Sequence, residues 1–150
     1  MNVFGTDGIR GEVDLRPCGT RQAIDALVDE RRLTLPLAWL AGQALARTLD
    51  AEDAGVVIGW DDRPGNPALV HAVQDAFLAA GWNVTLLGTC ATPLVHHVLL
   101  ETKANAGVMI TASHNPVEDS GLKVFDASGR KSTPEFEVRL TRTMLDLAQE

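Results

Sequence analysis

Positive charge is scarce in this sequence: 13 Lys and Arg face 20 Asp and Glu, a formal net charge of -7. The basic residues are scattered, with no run longer than Arg31-Arg32 or Arg130-Lys131. Nucleic-acid binding needs clustered cations to neutralise phosphates, so that class of partner is excluded. A local anion site remains open to an acidic chain, through backbone N–H groups and one or two placed cations. Cysteine is also scarce. Cys18 and Cys90 stand far apart without C-x-x-C spacing, which excludes a zinc site or disulfide framework and predicts two reduced thiols in a cytoplasmic protein. Long apolar runs are missing as well. The longest uncharged stretch, Ala76 to Leu100, is broken by Gly81, Asn83, Gly88, Pro93 and His96-His97, and reads as helix end, strand and second helix, not a membrane span. Asp7 and Arg10 come too early for a secretory leader, so a soluble protein with no membrane partner is expected.

What is present is globular: 150 residues, 45% hydrophobic and 22% charged, enough for one domain with a single core. From Val56 onward strand and helix signals alternate. Val56–Gly59 is a short β-branched run suited to a buried strand, and Asn66-Pro67 reads as N-cap and first turn of a helix that Gly81 stops. The alternation in Trp82–Leu86 predicts a half-buried strand, Thr92-Pro93 opens a helix, and Gly107–Ile110 and Gly121–Phe125 read as strands. Thr133-Pro134 starts an amphipathic helix with Phe136, Leu140, Met144 and Leu147 on one face. Earlier, Phe4–Val13 reads as a glycine-rich loop running into a strand, Leu33–Leu49 as a mostly buried helix, and Thr20–Glu30 as a short helix. The pattern predicts a layered α/β domain with a mixed, largely parallel sheet and no internal boundary.

Chemistry concentrates in Thr111-Ala112-Ser113-His114-Asn115-Pro116, directly after the strand ending at Ile110. Small residues allow close backbone approach, Ser113 offers a nucleophile, His114 and Asn115 offer polar groups, and Pro116 stiffens the exit. Lys123, on the following strand, can return a cation to the loop. An ordinary polar turn would have the same composition. A Ser–His hydrolase fits poorly, because adjacent residues leaving a strand point apart and the G-x-S-x-G elbow is absent. Gly5-Thr6-Asp7-Gly8-Ile9-Arg10-Gly11 lacks dinucleotide spacing, yet such a loop with one arginine could meet a phosphate.

Taken together, Phe4–Gly11, Gly59-Trp60-Asp61-Asp62-Arg63, Ala91-Thr92-Pro93, Gly107–Pro116 and Gly121–Phe125 resemble, in order and spacing, the first domain of the α-D-phosphohexomutase superfamily. The opening most resembles its phosphoglucosamine mutase, phosphomannomutase and phosphoglucomutase branches. The resemblance implies an α/β/α domain I across residues 1–150, with domains II–IV outside this chain. It implies that Ser113 is a phosphoserine that passes its phosphoryl group to a hexose or hexosamine phosphate, moving phosphate between the 1- and 6-positions. Arg10 and Lys123 would neutralise the phosphoryl oxygens, Lys123 or His114 would move a proton, and Thr111, Asn115 and Arg63 would belong to the phosphate loop. One Mg²⁺ would contact the Ser113 phosphate, its aspartates lying in a D-G-D-x-D-R loop that this sequence lacks. A chain without domains II–IV would be inactive alone, and a non-catalytic module binding a phosphorylated ligand or a partner subunit is the alternative.

Four further expectations follow. Asp61 and Asp62 are expected to be solvated loop carboxylates and not metal ligands. Asp14–Arg32 reads as an insertion, more a surface excursion than a partner site. His71, His96 and His97 do not share a helix face as ligands must, and Trp39, Trp60 and Trp82 read as packing residues.

Overall fold

A computed structural model describes residues 1–150. In chain order the elements are β1 (Ile9–Asp14), α1 (Thr20–Glu30), β2 (Arg32–Thr34), α2 (Leu35–Leu49), β3 (Gly55–Trp60), α3 (Asn66–Ala79), β4 (Asn83–Thr89), α4 (Thr92–Thr102), β5 (Ala106–Ile110), β6 (Asp119–Asp126) and α5 (Pro134–Ala148). The strands form one sheet in the order β2-β1-β6-β5-β3-β4. Pairs β1–β2, β3–β4 and β3–β5 are parallel, while β6 is antiparallel to both its neighbours, β1 and β5. The β5–β6 link is too short for a parallel crossover, so the chain must reverse there. That reversal is the Ser113 loop.

The two sheet faces follow from strand alternation. Val56 and Ile58 enter the main core with Ala106, Val108, Ile110, Leu122 and Val124, beneath the contacting helices α1, α2, α3 and α5. Val57 and Met109 point the other way and meet Val95 and Leu99 of α4 in a smaller cluster. The result is the layered α/β/α domain with a mixed sheet that the alternating pattern predicts. No helix is long and apolar enough to cross a membrane.

Several local expectations are corrected. The Asp14–Arg32 segment is not a surface excursion: Ala23, Ile24 and Leu27 are completely buried in the main core, and β2 extends the sheet beside β1. Their spacing on α1 makes one apolar stripe that reaches under the helix layer. Asp14 anchors this segment through Arg16 and Arg32; hydrogen bonds from Arg16, then Arg32, hold its carboxyl well below the ordinary carboxylate range. The buried helix begins at Leu35, because Thr34 ends β2 and caps the helix, its Oγ1 accepting from Leu37 N at 3.3 Å. A three-residue strand carries no readable period. Asn66 is not the cap of α3, which is Gly65; the Asn66 side chain turns inward instead. β4 is less covered than alternation suggests, being an edge strand with Leu86 exposed. At its approach Trp82 is buried against Phe77, with ring centroids 5.1 Å apart. Trp39 and Trp60 pack against the main core, and both cysteines are free.

If α1 is core, Leu27→Ala should lower unfolding stability by about 2–5 kcal/mol, read from urea denaturation. A change near zero would restore the surface-excursion reading.

Candidate phosphoryl site at the Ser113 loop

The β5–β6 loop is held from below by one buried arginine. Arg63 follows β3, whose carboxyl end lies beside that of β5. Its Nη1 donates to the carbonyls of Asn115 (3.2 Å), Pro116 (2.7 Å) and Asp119 (3.0 Å), and its Nη2 to the carbonyl of Ser113 (2.6 Å). Its Nε donates to Asp61 Oδ2 at 3.0 Å. Only 9% of Arg63 is exposed, so these bonds replace water, and charge assistance makes them stronger than neutral ones. Arg63 therefore faces the underside of the loop and not its ligand side.

Asp61 is the second brace. Its Oδ2 also accepts from Thr111 Oγ1 at 2.5 Å, and its Oδ1 accepts from Asn66 Nδ2 at 2.7 Å. The expectation of a solvated loop carboxylate is thus overturned for Asp61, because three neighbouring donors converge on it; Asp62 is exposed. Asn66, fully buried, donates also to the carbonyls of Asp61 (2.9 Å) and Ile110 (3.2 Å) and accepts from Ser120 Oγ at 2.5 Å. Asn66 and Ser120 escape sequence reading because a buried polar pair has no period. The one signal was Asn66 before Pro67, which suggested a cap.

These contacts set the conformation of Ser113. Its φ of 53° lies in the left-handed region, where a residue with a Cβ costs about 1–2 kcal/mol. Thr111 Oγ1 accepts from Ser113 N at 3.0 Å, and Asn115 N closes the turn onto Ala112 O at 3.0 Å. The turn exposes the Ser113 hydroxyl to solvent.

Two cations meet that hydroxyl. Arg10 Nη2 donates to Ser113 Oγ at 3.2 Å, and Lys123 Nζ donates to it at 3.0 Å. Arg10 comes from β1 and Lys123 from β6, on the face opposite Ile9, Leu122 and Val124. Arg10 stands opposite Gly121 in the register, so Lys123 is its diagonal neighbour on that face. Glycine is required at 121: a Cβ there would lie 2.3 Å from Ile9 O and 2.9 Å from both Arg10 Cγ and Thr111 O. Arg10 Nη1 also donates to Asn115 Oδ1 at 3.3 Å, while Asn115 Nδ2 donates to Asp119 Oδ2 at 3.2 Å. His114 is exposed and makes no side-chain hydrogen bond, so it is not brought onto Ser113.

The arrangement suits an oxyanion on Ser113 Oγ: two cationic donors and no carboxylate within bonding distance of the hydroxyl. It does not suit a bare metal ion. No three His, Cys, Asp or Glu side chains converge anywhere, and the nearby carboxylates of Asp61 and Asp119 are occupied by protein donors. His71 and His97 are exposed, and His96 instead bonds the Gly129 carbonyl.

An α/β/α sheet with an exposed serine between Arg10 and Lys123 defines a phosphohexomutase-type first domain, and known proteins agree. Residues 1–150 match the family model described as phosphoglucomutase/phosphomannomutase, alpha/beta/alpha domain I, and the chain belongs to that family. It is 34% identical over 149 residues to a phosphoglucosamine mutase of Prochlorococcus marinus, covering 99% of this chain and 29% of that protein. Phosphoglucosamine mutase 1 of Shewanella amazonensis is 40% identical over 137 residues, 91% of this chain and 28% of that protein. The chain thus spans under a third of the length of these relatives. A crystal structure from Thermus thermophilus, named as a phosphomannomutase, superposes with a TM-score of 0.76 at 27% identity over 95% of this chain and 30% of that one.

Replacing Arg63 with Met would strand four carbonyls and the Asp61 carboxylate. The expected cost is about 3–5 kcal/mol, and Arg63→Lys should recover only part of it, because an ammonium cannot reproduce the planar fork. Urea unfolding of both variants checks this; full recovery by Lys would contradict the brace.

Proposed function

We propose that this chain is the catalytic-serine domain of a phosphohexomutase that interconverts the 6- and 1-phosphates of a hexose or hexosamine through a bisphosphorylated sugar. The observation that carries the reading is the convergence of Arg10 and Lys123 on Ser113 Oγ, at 3.2 and 3.0 Å. The names of the two curated relatives favour a hexosamine phosphate.

Phosphoryl transfer asks chiefly for positioning and charge stabilisation. When the phosphoryl group leaves Ser113, the P–Oγ bond breaks and a bond to a sugar hydroxyl oxygen forms. Arg10 neutralises the equatorial oxygens as charge spreads over them. Lys123, already donating to Oγ, is placed to give a proton to that oxygen as it departs. His114, at the exposed rim and held by no hydrogen bond, is free to take the proton of the sugar hydroxyl. Thr111 and Asn115 hold the loop in the geometry that aims Oγ outward, and Arg63 braces it from beneath. The reverse transfer uses the same groups with the protons moving the other way.

Mg²⁺, the family's metal, would screen charge on the phosphoryl group. This chain offers it only the oxygen carried by Ser113, and no step above is routed through it. The remaining ligands, sugar recognition and turnover belong to further domains, in cis or on a separate chain. A cytoplasmic setting fits two free thiols.

Full-length protein isolated from cells, with its further domains, should carry one phosphoryl group by intact mass, mapped to Ser113, and its Ser113→Ala variant should carry none. A full-length protein whose Ser113 stays unmodified, both as isolated and after incubation with a hexosamine 1,6-bisphosphate and Mg²⁺, would overturn the reading. Bisphosphate binding at residues 14–32 and not at the Ser113 loop, mapped by NMR, would favour a non-catalytic module instead.

A further inference from the structure

Arg10 is not anchored along its whole guanidinium. Its Nε is buried without a hydrogen-bond partner, so the contacts of Nη1 and Nη2 alone decide where the group points. The carboxylate within reach is Asp7, whose Oδ2 lies 3.9 Å from Nη2. That is too long for a hydrogen bond, and a small rotation would close it. A closed Asp7–Arg10 pair would draw the guanidinium off Ser113 Oγ and cancel its charge there.

Lys131 stands on the other side of Asp7. It follows the turn at Asp126–Arg130, whose shape is set by the Asp126 carboxylate accepting from Ser128 N (2.9 Å) and Arg130 N (3.0 Å). Lys131 bridges to Phe125 of β6, the residue two beyond Lys123. Its Nζ donates to Asp7 Oδ1 at 3.0 Å and to the Thr6 carbonyl at 2.5 Å. The Thr6–Asp7 turn is closed by Gly5 N on Gly8 O at 2.7 Å, and it seats on β6 because Gly8 has no side chain: a Cβ there would lie 2.2 Å from Leu122 O. Seated there, the Asp7 carboxylate lies between Lys131, which it bonds, and Arg10, which it nearly reaches. Side-chain exposure of 49% for Lys131 and 53% for Asp7 makes their pair worth little to stability. Its consequence lies in what it keeps away from Arg10. The Lys131 hydrogen bond and charge, with smaller contributions from Arg10 and Lys123, also hold the Asp7 carboxyl below its ordinary range.

We infer that Lys131 is a positioning residue for the phosphoryl site: it holds the Asp7 carboxylate off Arg10, leaving the Arg10 guanidinium free for the anion on Ser113. This rests on the reading of Arg10 and Lys123 as the phosphoryl-binding pair. Nothing in the Phe4–Gly11 motif discloses it, because the restraint arrives from a turn beyond β6.

The test uses the full ¹⁵N-labelled chain and inorganic phosphate as the probe. Two readouts are followed: the Arg10 Nε–H signal, identified by its absence in Arg10→Met, and phosphate affinity by NMR titration. Lys131→Met should shift the Arg10 signal and weaken phosphate binding about five- to tenfold, the effect of one unscreened neighbouring carboxylate. Asp7→Asn in the Lys131→Met background should restore both, and Lys131→Arg should preserve both. Lys103→Met removes the same charge at the opposite end of β5 and should move neither. The inference fails if Lys131→Met leaves the Arg10 signal and phosphate affinity unchanged. It fails equally if the double variant stays as weak as the single, since Lys131 would then act only by pinning Thr6. Failure of the underlying reading looks different: Arg10→Met would bind phosphate as well as the parent chain.

Discussion

A single guanidinium, buried beneath the β5–β6 loop, gathers the carbonyls of Ser113, Asn115, Pro116 and Asp119 and leans on Asp61. A loop of small and polar residues would otherwise have many conformations of similar energy. Ordering each backbone residue costs about 1–2 kcal/mol, and Ser113 bears a left-handed φ as well. Arg63 offsets this by taking several acceptors at once with one rigid fork. Because the arginine is nearly buried, releasing the loop would leave its two terminal nitrogens without water or acceptors, so the loop and the arginine stay ordered together. The serine can then stand exposed and still be held in place.

The topology makes this possible. Reversal of β6 puts Lys123 on the strand next to the loop and brings β1, with Arg10, to its far side. The cations that define the site thus come from distant parts of the sequence, and the sheet register, not the loop, sets their spacing. Gly121 lets the two strands meet closely and leaves room for the Arg10 side chain to pass over position 121 toward Ser113. Reaching cations sit above the loop and the bracing cation below it. That division of labour separates Arg63 from Arg10, although both are arginines near one serine.

Much of this was legible in the sequence. Helix α1 matches the expected Thr20–Glu30, and the strands ending at Ile110 and carrying Lys123 lie where their β-branched runs and flanking turns put them. The pairing of Ser113 with Lys123 followed from strand spacing, and Arg10 joined them through the resemblance of the glycine-rich opening. The illegible parts share a physical cause. Asp61, Asn66 and Ser120 form a buried polar cluster, which depends on three-dimensional convergence and leaves no periodic trace. β2 is too short to show alternation. The exposure of β4 reflects its place at the sheet edge, which no local pattern encodes. Arg63, grouped with the phosphate loop from its motif, belongs to it from beneath.

The central claim is that the site is built before any phosphoryl group arrives, with Arg63 holding the loop and Arg10 and Lys123 waiting for the anion. A crystal structure of the chain with phosphoserine incorporated at position 113 tests it most directly. The account predicts phosphoryl oxygens within hydrogen-bonding distance of both Arg10 and Lys123, all four Arg63–carbonyl bonds kept, and a left-handed φ at position 113. A phosphoryl group turned away from both cations, or a loop that breaks its bonds to Arg63 to accommodate it, would contradict the account.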